Sequence, residues 1–314
     1  MDIVKGSAQA DESNSLAQWT EVVCREQVSV QTYLIGDTPF SGKLAVERFG
    51  AVSLSYFRST PVRYVRGQQE IGIDPGAVFE ASLTLAGRAI IVQGGKEVVQ
   101  NPGDIVLFDS SRPFDYILPD GDDQIVIDIP HALLREHLPN ADAFMCTVLS
   151  GQSTFGRLAG KMLQDLKSVG NDGGDAVSAR IGITVVDLIA TAFDVECGLS
   201  VCAPSSRPDM LEKVKKFMLG HLSDSELNAE TIARANNVSI RSLHRLFAAQ
   251  GTTAMRWLWQ QRLCASYKAL AVGRGNRVSD VAMMYGFTNF SHFARSFKQT
   301  FGVLPQSLLR TRLQ

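Results

Sequence analysis

Two clusters of side chains in the last hundred residues have the types and spacing to read a base edge. Arg241, His244 and Arg245 form the first; Asn289, Ser291, His292 and Arg295 form the second, about fifty residues on. A guanidinium makes paired hydrogen bonds to guanine in the major groove, whereas histidine is a less frequent base reader. On a helix, Arg241, His244, Arg245 and Ala248 share one face. Thr288, His292, Arg295 and Gln299 share another, with Asn289, Ser291 and Lys298 nearby. This is the chemistry of recognition by hydrogen bonding. An arginine pair on one isolated helix reads first as a solvated surface; its recurrence turns the reading toward DNA.

The elements that must position these groups are themselves repeated. Ile232–Val238 leads into Leu243-His244-Arg245-Leu246-Phe247, and Val281–Phe287 leads into Phe293-Ala294-Arg295-Ser296-Phe297-Lys298. Each copy predicts a short helix, a tight turn and a second helix. In the first, Ala229–Asn236 leads, Asn237 takes the turn because it tolerates a left-handed backbone, and Ser239 caps the next helix. Ile240, Leu243 and Phe247, with Leu246 beside them, form its apolar face. In the second, Gly286 supplies the turn, and Phe290, Phe293, Phe297 and Phe301 form the stripe. The second copy has one more residue between turn and helix, so Arg241 corresponds to either Phe290 or Ser291. Thr253–Leu270 predicts a long helix carrying Trp257 and Trp259 as packing residues. Such a spacer would hold two reading helices about one DNA turn apart, roughly 34 Å.

Charge separates this tail from the rest. The chain of 314 residues has a net charge of −1, yet from Asp209 onward 15 Lys and Arg face 6 Asp and Glu, a net of +9. The remainder carries 16 basic and 26 acidic residues, a net of −10. A basic module joined to an acidic one suits a DNA-binding domain beside a domain with another task. Pro204-Ser205-Ser206-Arg207-Pro208 marks the join, giving domains at 1–197 and 209–314 with a linker over 198–208.

Residues 1–130 read as β-rich. Apolar runs at Leu44–Phe49, Val52–Phe57, Phe79–Leu85, Arg88–Val92, Ile105–Phe108, Tyr116–Leu118 and Ile125–Ile129 alternate with Gly, Pro and Asp turns, which predicts a barrel or sandwich. Gly94-Gly95 predicts a hairpin turn. Two amphipathic helices follow, on the stripes Phe155, Leu158, Met162, Leu166 and Ile181, Val185, Leu188, Ile189, Ala192, separated by a turn at Gly170–Gly174. The five cysteines, Cys24, Cys146, Cys197, Cys202 and Cys264, are scattered and odd in number, so reduced thiols are expected, although Cys197 and Cys202 flank a segment read as a loop. No histidine occurs before His131, so the strands offer no histidine-based metal site and no metal or cofactor is expected. Arg48, Arg63, Arg66, Arg88 and Arg112 are available to clamp a carboxylate; each reads first as a surface residue, and the effector-binding residues stay unassigned. No secretory leader follows Met1, and the most apolar stretch, Ile181–Phe193, contains Asp187 and is too short to span a bilayer, so a cytoplasmic protein without a membrane partner is expected.

The tail resembles the AraC/XylS family of bacterial transcription regulators. The resemblance rests on Val281-Ala282, Gly286-Phe287, Ser291, Phe293, Arg295, Phe297-Lys298, Gly302, Pro305 and Arg310, and it covers Asp209–Arg312. Leu304 and Leu309 depart from the family pattern in the terminal helix, away from the reading faces. The likeness implies DNA contacts from Arg241, His244 and Arg245 in the first copy, and from Ser291, His292 and Arg295 in the second. The N-terminal part is more loosely similar to the AraC-binding-like sensory domain, through Leu85-Ala86-Gly87, Pro102-Gly103-Asp104, Asp109–Phe114 and Ile129-Pro130.

The implied architecture is multi-domain α and β: a cupin-like β-barrel plus helices, then an all-α domain with two helix-turn-helix motifs. The implied partners are double-stranded DNA, RNA polymerase and a small effector of the class that such domains often sense, aromatic acids, amines or alcohols, with the helices of 153–195 as candidates for a homodimer contact. The function expected is an effector-responsive activator rather than an enzyme. Two alternatives stay open: an alkyl-transfer repair enzyme fused to a DNA-binding module, and an effector-independent architectural DNA binder.

Overall fold

The computed structural model describes residues 9–74, 78–167, 174–201, 210–248, 252–275 and 277–310. They fall into two compact units, one built from residues up to 174 with 181–201, the other from 175–180 with those from 202 onward. The first unit opens with β1 (Gln9–Ser13), α1 (Leu16–Glu26), β2 (Gln31–Leu34), β3 (Gly42–Phe49), β4 (Val52–Ser59), β5 (Val62–Arg66) and α2 (Gln68–Ile73). It continues through β6 (Val78–Thr84), β7 (Ala89–Gln93), β8 (Lys96–Gln100), β9 (Ile105–Asp109), β10 (Phe114–Leu118) and β11 (Asp122–Pro130). Then come α3 (His131–His137), β12 (Val148–Leu149), α4 (Thr154–Leu166) and α5 (Gly174–Val201).

The strands make two antiparallel sheets, ordered β1-β3-β4-β11-β6-β9-β12 and β2-β5-β10-β7-β8. Alternation along the strands gives the larger sheet two different faces. Ile125, Ile127 and Ile129 of β11, with Leu54, Ala81 and Leu83, pack against α3, α4 and α5 through Leu133, Leu163, Val185, Ile189 and Phe193. Val126, Phe57, Val106 and Phe108 face the smaller sheet and α1, where Trp19, Val23, Tyr64, Phe114 and Tyr116 complete a second core. This cupin-like pair of sheets agrees with the expected barrel or sandwich. The hairpin at Gly94-Gly95 is present, with Gln93 opposite Lys96.

Several expectations need correction. The loop expected between Cys197 and Cys202 begins later, because α5 runs on through Val201; Cys197 lies inside that helix, buried, and residues 198–201 are helical rather than linker. Cys202 and most of the turn at 170–174 lie outside the described residues. Leu158 does not join the packed stripe of α4: it is exposed, and Gly156, Ala159, Gly160, Leu163 and Leu166 are the buried residues. The small residues let the helix approach its neighbours closely, so the packed face is centred away from the largest side chains. Helix α5 is also longer than the apolar run suggested. Over Gly174–Gly198 its length and mean hydropathy of 1.6 suffice to cross a membrane, but half of that stretch is buried, with Val186, Ala190 and Phe193 in the core. Its approach is close: a Cβ on Gly182 would lie 2.2 Å from the carbonyl oxygen of Phe49.

The five candidate clamp arginines are committed elsewhere. Arg48 pairs with Glu26, Arg63 with Asp115, Arg88 with Asp120 and Arg112 with Asp142, all exposed. Arg66 is fully buried and donates to the carbonyls of Ser110, Ser29 and Asp74 at 2.7, 2.6 and 2.9 Å.

The second unit is helical: α6 (Met210–Gly220), α7 (Ala229–Ala235), α8 (Ile240–Ala248), α9 (Ala254–Ala271), α10 (Val278–Met284), α11 (Phe290–Phe301) and α12 (Pro305–Arg310). Helix α9 packs against α6, α8, α10, α11 and α12. It therefore joins both helix-turn-helix copies, as a spacer should.

Candidate nucleic-acid interface

Each copy is built by the same local chemistry. Asn228 caps α7, its side chain accepting from the amides of Glu230 and Thr231. The helix ends at a left-handed residue, Asn237, with φ 54°. Ser239 then accepts from the amide of Ser242 at 3.0 Å and starts α8. In the second copy, α10 ends at Gly286 with φ 73°, and Asn289 accepts from the amide of His292 at 2.9 Å to start α11. A Cβ on Gly286 would meet the Leu222 carbonyl oxygen at 2.9 Å and the Arg262 guanidinium carbon at 3.0 Å, so this turn needs glycine for space as well as for backbone.

The caps fix the register that the sequence left open. Ser239 matches Asn289, which places Arg241 opposite Ser291, His244 opposite Ala294 and Arg245 opposite Arg295. Leu243 and Phe247 are buried, as are Phe293 and Phe297 at the matching positions. Leu243 and Phe247 join Ile232, Trp257 and Leu258 in one core. Phe293 and Phe297 continue into a train of rings with Phe287, Phe301 and Tyr267. Ile240 and Phe290 break the expected stripe: each is the first residue of its helix and each is 42% exposed. Helical spacing puts them on the packed side, but the first turn stands beyond the apolar contact.

All seven predicted contact residues, Arg241, His244, Arg245, Asn289, Ser291, His292 and Arg295, are exposed. Three have additional work, and one of them, Arg295, donates from Nε to the Ser291 carbonyl at 3.4 Å. The Asn289 side-chain oxygen is spent on the cap, which leaves its amide hydrogens to face outward. The His292 ring lies 4.8 Å from the half-buried Trp259 ring, which restricts its orientation. Trp257 is buried against Phe247, in keeping with a packing role. Arg277, which the sequence reading passed over, lines a groove with Phe290 and Ser291 and is exposed. Its position just ahead of α10 was the available signal.

The turn regions are tied together from inside. Arg262 of α9 is buried and donates to the carbonyls of Leu222, at 3.0 Å, Asp224 and Gly286. Burial pulls its guanidinium below the ordinary arginine range, with Asp224 acting the other way. Three carbonyl partners satisfy the fork of donors, so the residue serves as an internal tie.

Comparison with known proteins agrees with this geometry. Residues 19–194 match the AraC-binding-like domain and residues 232–311 match a helix-turn-helix domain. The transcriptional activator NphR of a Rhodococcus species is 28% identical over 300 residues, covering 94% of this chain and 89% of that protein. The arabinose operon regulatory protein of Salmonella typhimurium is 25% identical over 237 residues, covering 71% of this chain and 80% of its own. The crystal structure of the AraC-like transcriptional activator CuxR superposes with a TM-score of 0.57 at 18% identity, over 84% of this chain and 96% of that one, a likeness of fold. With a matching sensory domain and two helix-turn-helix copies in one polypeptide, the protein belongs to the AraC/XylS family of DNA-binding transcriptional regulators.

Proposed function

We propose that the protein is an effector-responsive activator that places α8 and α11 in successive major grooves of its operator. Arg241, His244 and Arg245 act from the first helix, and Ser291, His292 and Arg295 from the second, with the Asn289 amide at its start. The observation carrying this reading is the shared register: Arg245 and Arg295 project from matching positions on helices capped and packed alike. Arg277 contributes a phosphate contact beside α11.

Residues 1–197 are assigned to effector sensing and homodimerisation. Leu158 of α4 and Val195 of α5, both exposed and apolar, support a dimer contact through these helices. Differential effector affinity for two states of the protein would alter DNA occupancy or contact with RNA polymerase. The protein is cytoplasmic and non-enzymatic in this reading. Burial pushes the Cys146 and Cys197 thiols up, away from the depressed range that an alkyl-accepting thiolate needs.

Gel-shift titration against the protein's own promoter region tests the assignment. Arg245→Ala combined with Arg295→Ala should weaken binding by about 2–6 kcal/mol if each contact contributes its usual share. Unchanged affinity would overturn it.

A further inference from the structure

A cavity of about 40 Å³ lies between the two sheets beneath α1. Phe57, Tyr64, Phe114 and Tyr116 line it, together with Gln27 and Glu80. Glu80 is 5% exposed, and its Oε1 has no hydrogen-bond partner. Buried polar groups are nearly always partnered, so an orphaned carboxyl oxygen in an aromatic cavity calls for a reason.

The surrounding groups define what is missing. Asp128 stands directly across from Glu80 on β11, and its Oδ1 is also unpartnered. Among the described residues that line the cavity, the side-chain donors are already used. The Gln27 amide donates to Ser55 and to the other oxygen of Asp128, at 2.5 and 3.1 Å. The Tyr116 hydroxyl donates to Gln124, and the Tyr64 hydroxyl accepts from Trp19 at 2.9 Å and donates to Asp122 at 3.3 Å. Arg66, the cation that acts on Glu80, is held by its three carbonyls. Burial first, and then Asp128, push the Glu80 carboxyl well above the ordinary carboxylate range; Arg66 opposes this, while Asp109 and Asp74 add to it. The geometry leaves Oε1 without a donor; a positively charged one would offset the burial that disfavours the ionised acid, and the ring faces would favour it as well. An anionic ligand would meet the Glu80 carboxyl, and no cation is among the described residues that line the cavity.

We propose that this cavity selects small organic amines, with Glu80 holding the ammonium head among the Phe57, Tyr64, Phe114 and Tyr116 rings. The proposal rests on the regulator reading and names the effector class for its sensory unit. The space takes the head and the first few carbons of the ligand. A longer body requires α1 to shift, since Val23 and the following Gln27 form part of the wall. Binding would thereby report to a helix.

Isothermal titration of the full chain with propylamine and benzylamine, against propanol, benzyl alcohol, propionate and benzoate, tests the proposal. An amine of the pair should bind at least tenfold more tightly than its matching alcohol and carboxylate. Glu80→Gln should remove that preference while leaving effector-free binding to the promoter fragment unchanged. Amines no tighter than alcohols in the wild-type protein, or an undiminished preference in Glu80→Gln, overturns it. Promoter binding by the wild type separates the two readings: if it is present while the amine preference fails, only the amine assignment falls; if it is absent both without ligand and with each of the six compounds, the regulator reading falls with it.

Discussion

Arg245 and Arg295 stand at the same position of two successive helices, each two residues after one buried apolar side chain and two before another. Leu243 and Phe247 flank the first; Phe293 and Phe297 flank the second. Each follows a side-chain cap by six residues, Ser239 and Asn289 respectively. Matching caps and matching buried pairs fix the direction in which each side chain leaves its helix. Two arginines presented alike can address equivalent positions in two grooves.

Singly, Arg245→Ala and Arg295→Ala should each cost about 1–3 kcal/mol of operator affinity. Their effects should map to different base pairs, about one helical turn apart. Binding measured against an operator library with each position varied checks this. Relaxed preference at one half-site for each variant is the expected outcome; loss of affinity spread evenly over all sequences would mean phosphate contacts instead. Neither variant should lower thermal stability, since both side chains are exposed.

The two turns respond differently to exchange of their residues. Asn237→Gly should be neutral within about 0.5 kcal/mol or mildly stabilising, because glycine accepts the left-handed backbone freely. Gly286→Asn should destabilise by about 2–4 kcal/mol, since asparagine tolerates the φ but its Cβ collides with the Leu222 carbonyl and Arg262. Urea unfolding of the full chain, followed through the tryptophans, measures both.

These turns also show how much was legible beforehand. Asn237 and Gly286 could be placed from sequence because few residues adopt their backbone conformation. The clash behind Gly286 could not, since Leu222 and Arg262 reach it from 64 and 24 residues away. Arg262 itself read as one more cation in a basic tail. Helix α1 is not legible in the sequence although Trp19 and Val23 have helical spacing, because polar residues surround them and their partners, Phe40, Phe57 and Tyr64, come from later in the chain. Glu80, within an otherwise apolar run, gave no sign of facing inward. Only the pairing of β6 with β11 sets it opposite Asp128.

Arg262→Met should cost about 3 kcal/mol or more, because it strips donors from buried carbonyls. Arg262→Lys should recover little, as an ammonium cannot span Leu222, Asp224 and Gly286 from one planar fork. Both variants should lower the melting temperature. DNA affinity measured well below that temperature should fall less than in Arg245→Ala, since Arg262 is buried away from the reading faces. A variant with wild-type stability would show that the internal tie contributes nothing.

Acidity should act on the sensory unit in an unusual direction. Burial pushes Asp122 from its ordinary 3.8 up to about 7, although hydrogen bonds with Tyr64 and Gln124 pull it down. Between these values the folded protein holds a proton that the unfolded chain has released. Stability from this group is therefore present at low pH and declines as pH rises from about 4 to about 7, then levels off. Asp128, pushed up to about 7 chiefly by burial and opposed by Ser53 and Gln27, adds a decline of the same sign. Asp109 works oppositely: burial raises it, but His131 and Ser111 outweigh that and hold it at about 2, so its contribution disappears only as pH falls through that range. Asp122→Asn removes one of several declining contributions, Glu80 supplying another. Calorimetry at pH 5 and pH 8 should show the wild type losing stability across the interval and the variant losing less, by about 2–4 kcal/mol from a shift of this size. Equal pH dependence in the two proteins would mean that Asp122 is ionised in the folded state throughout.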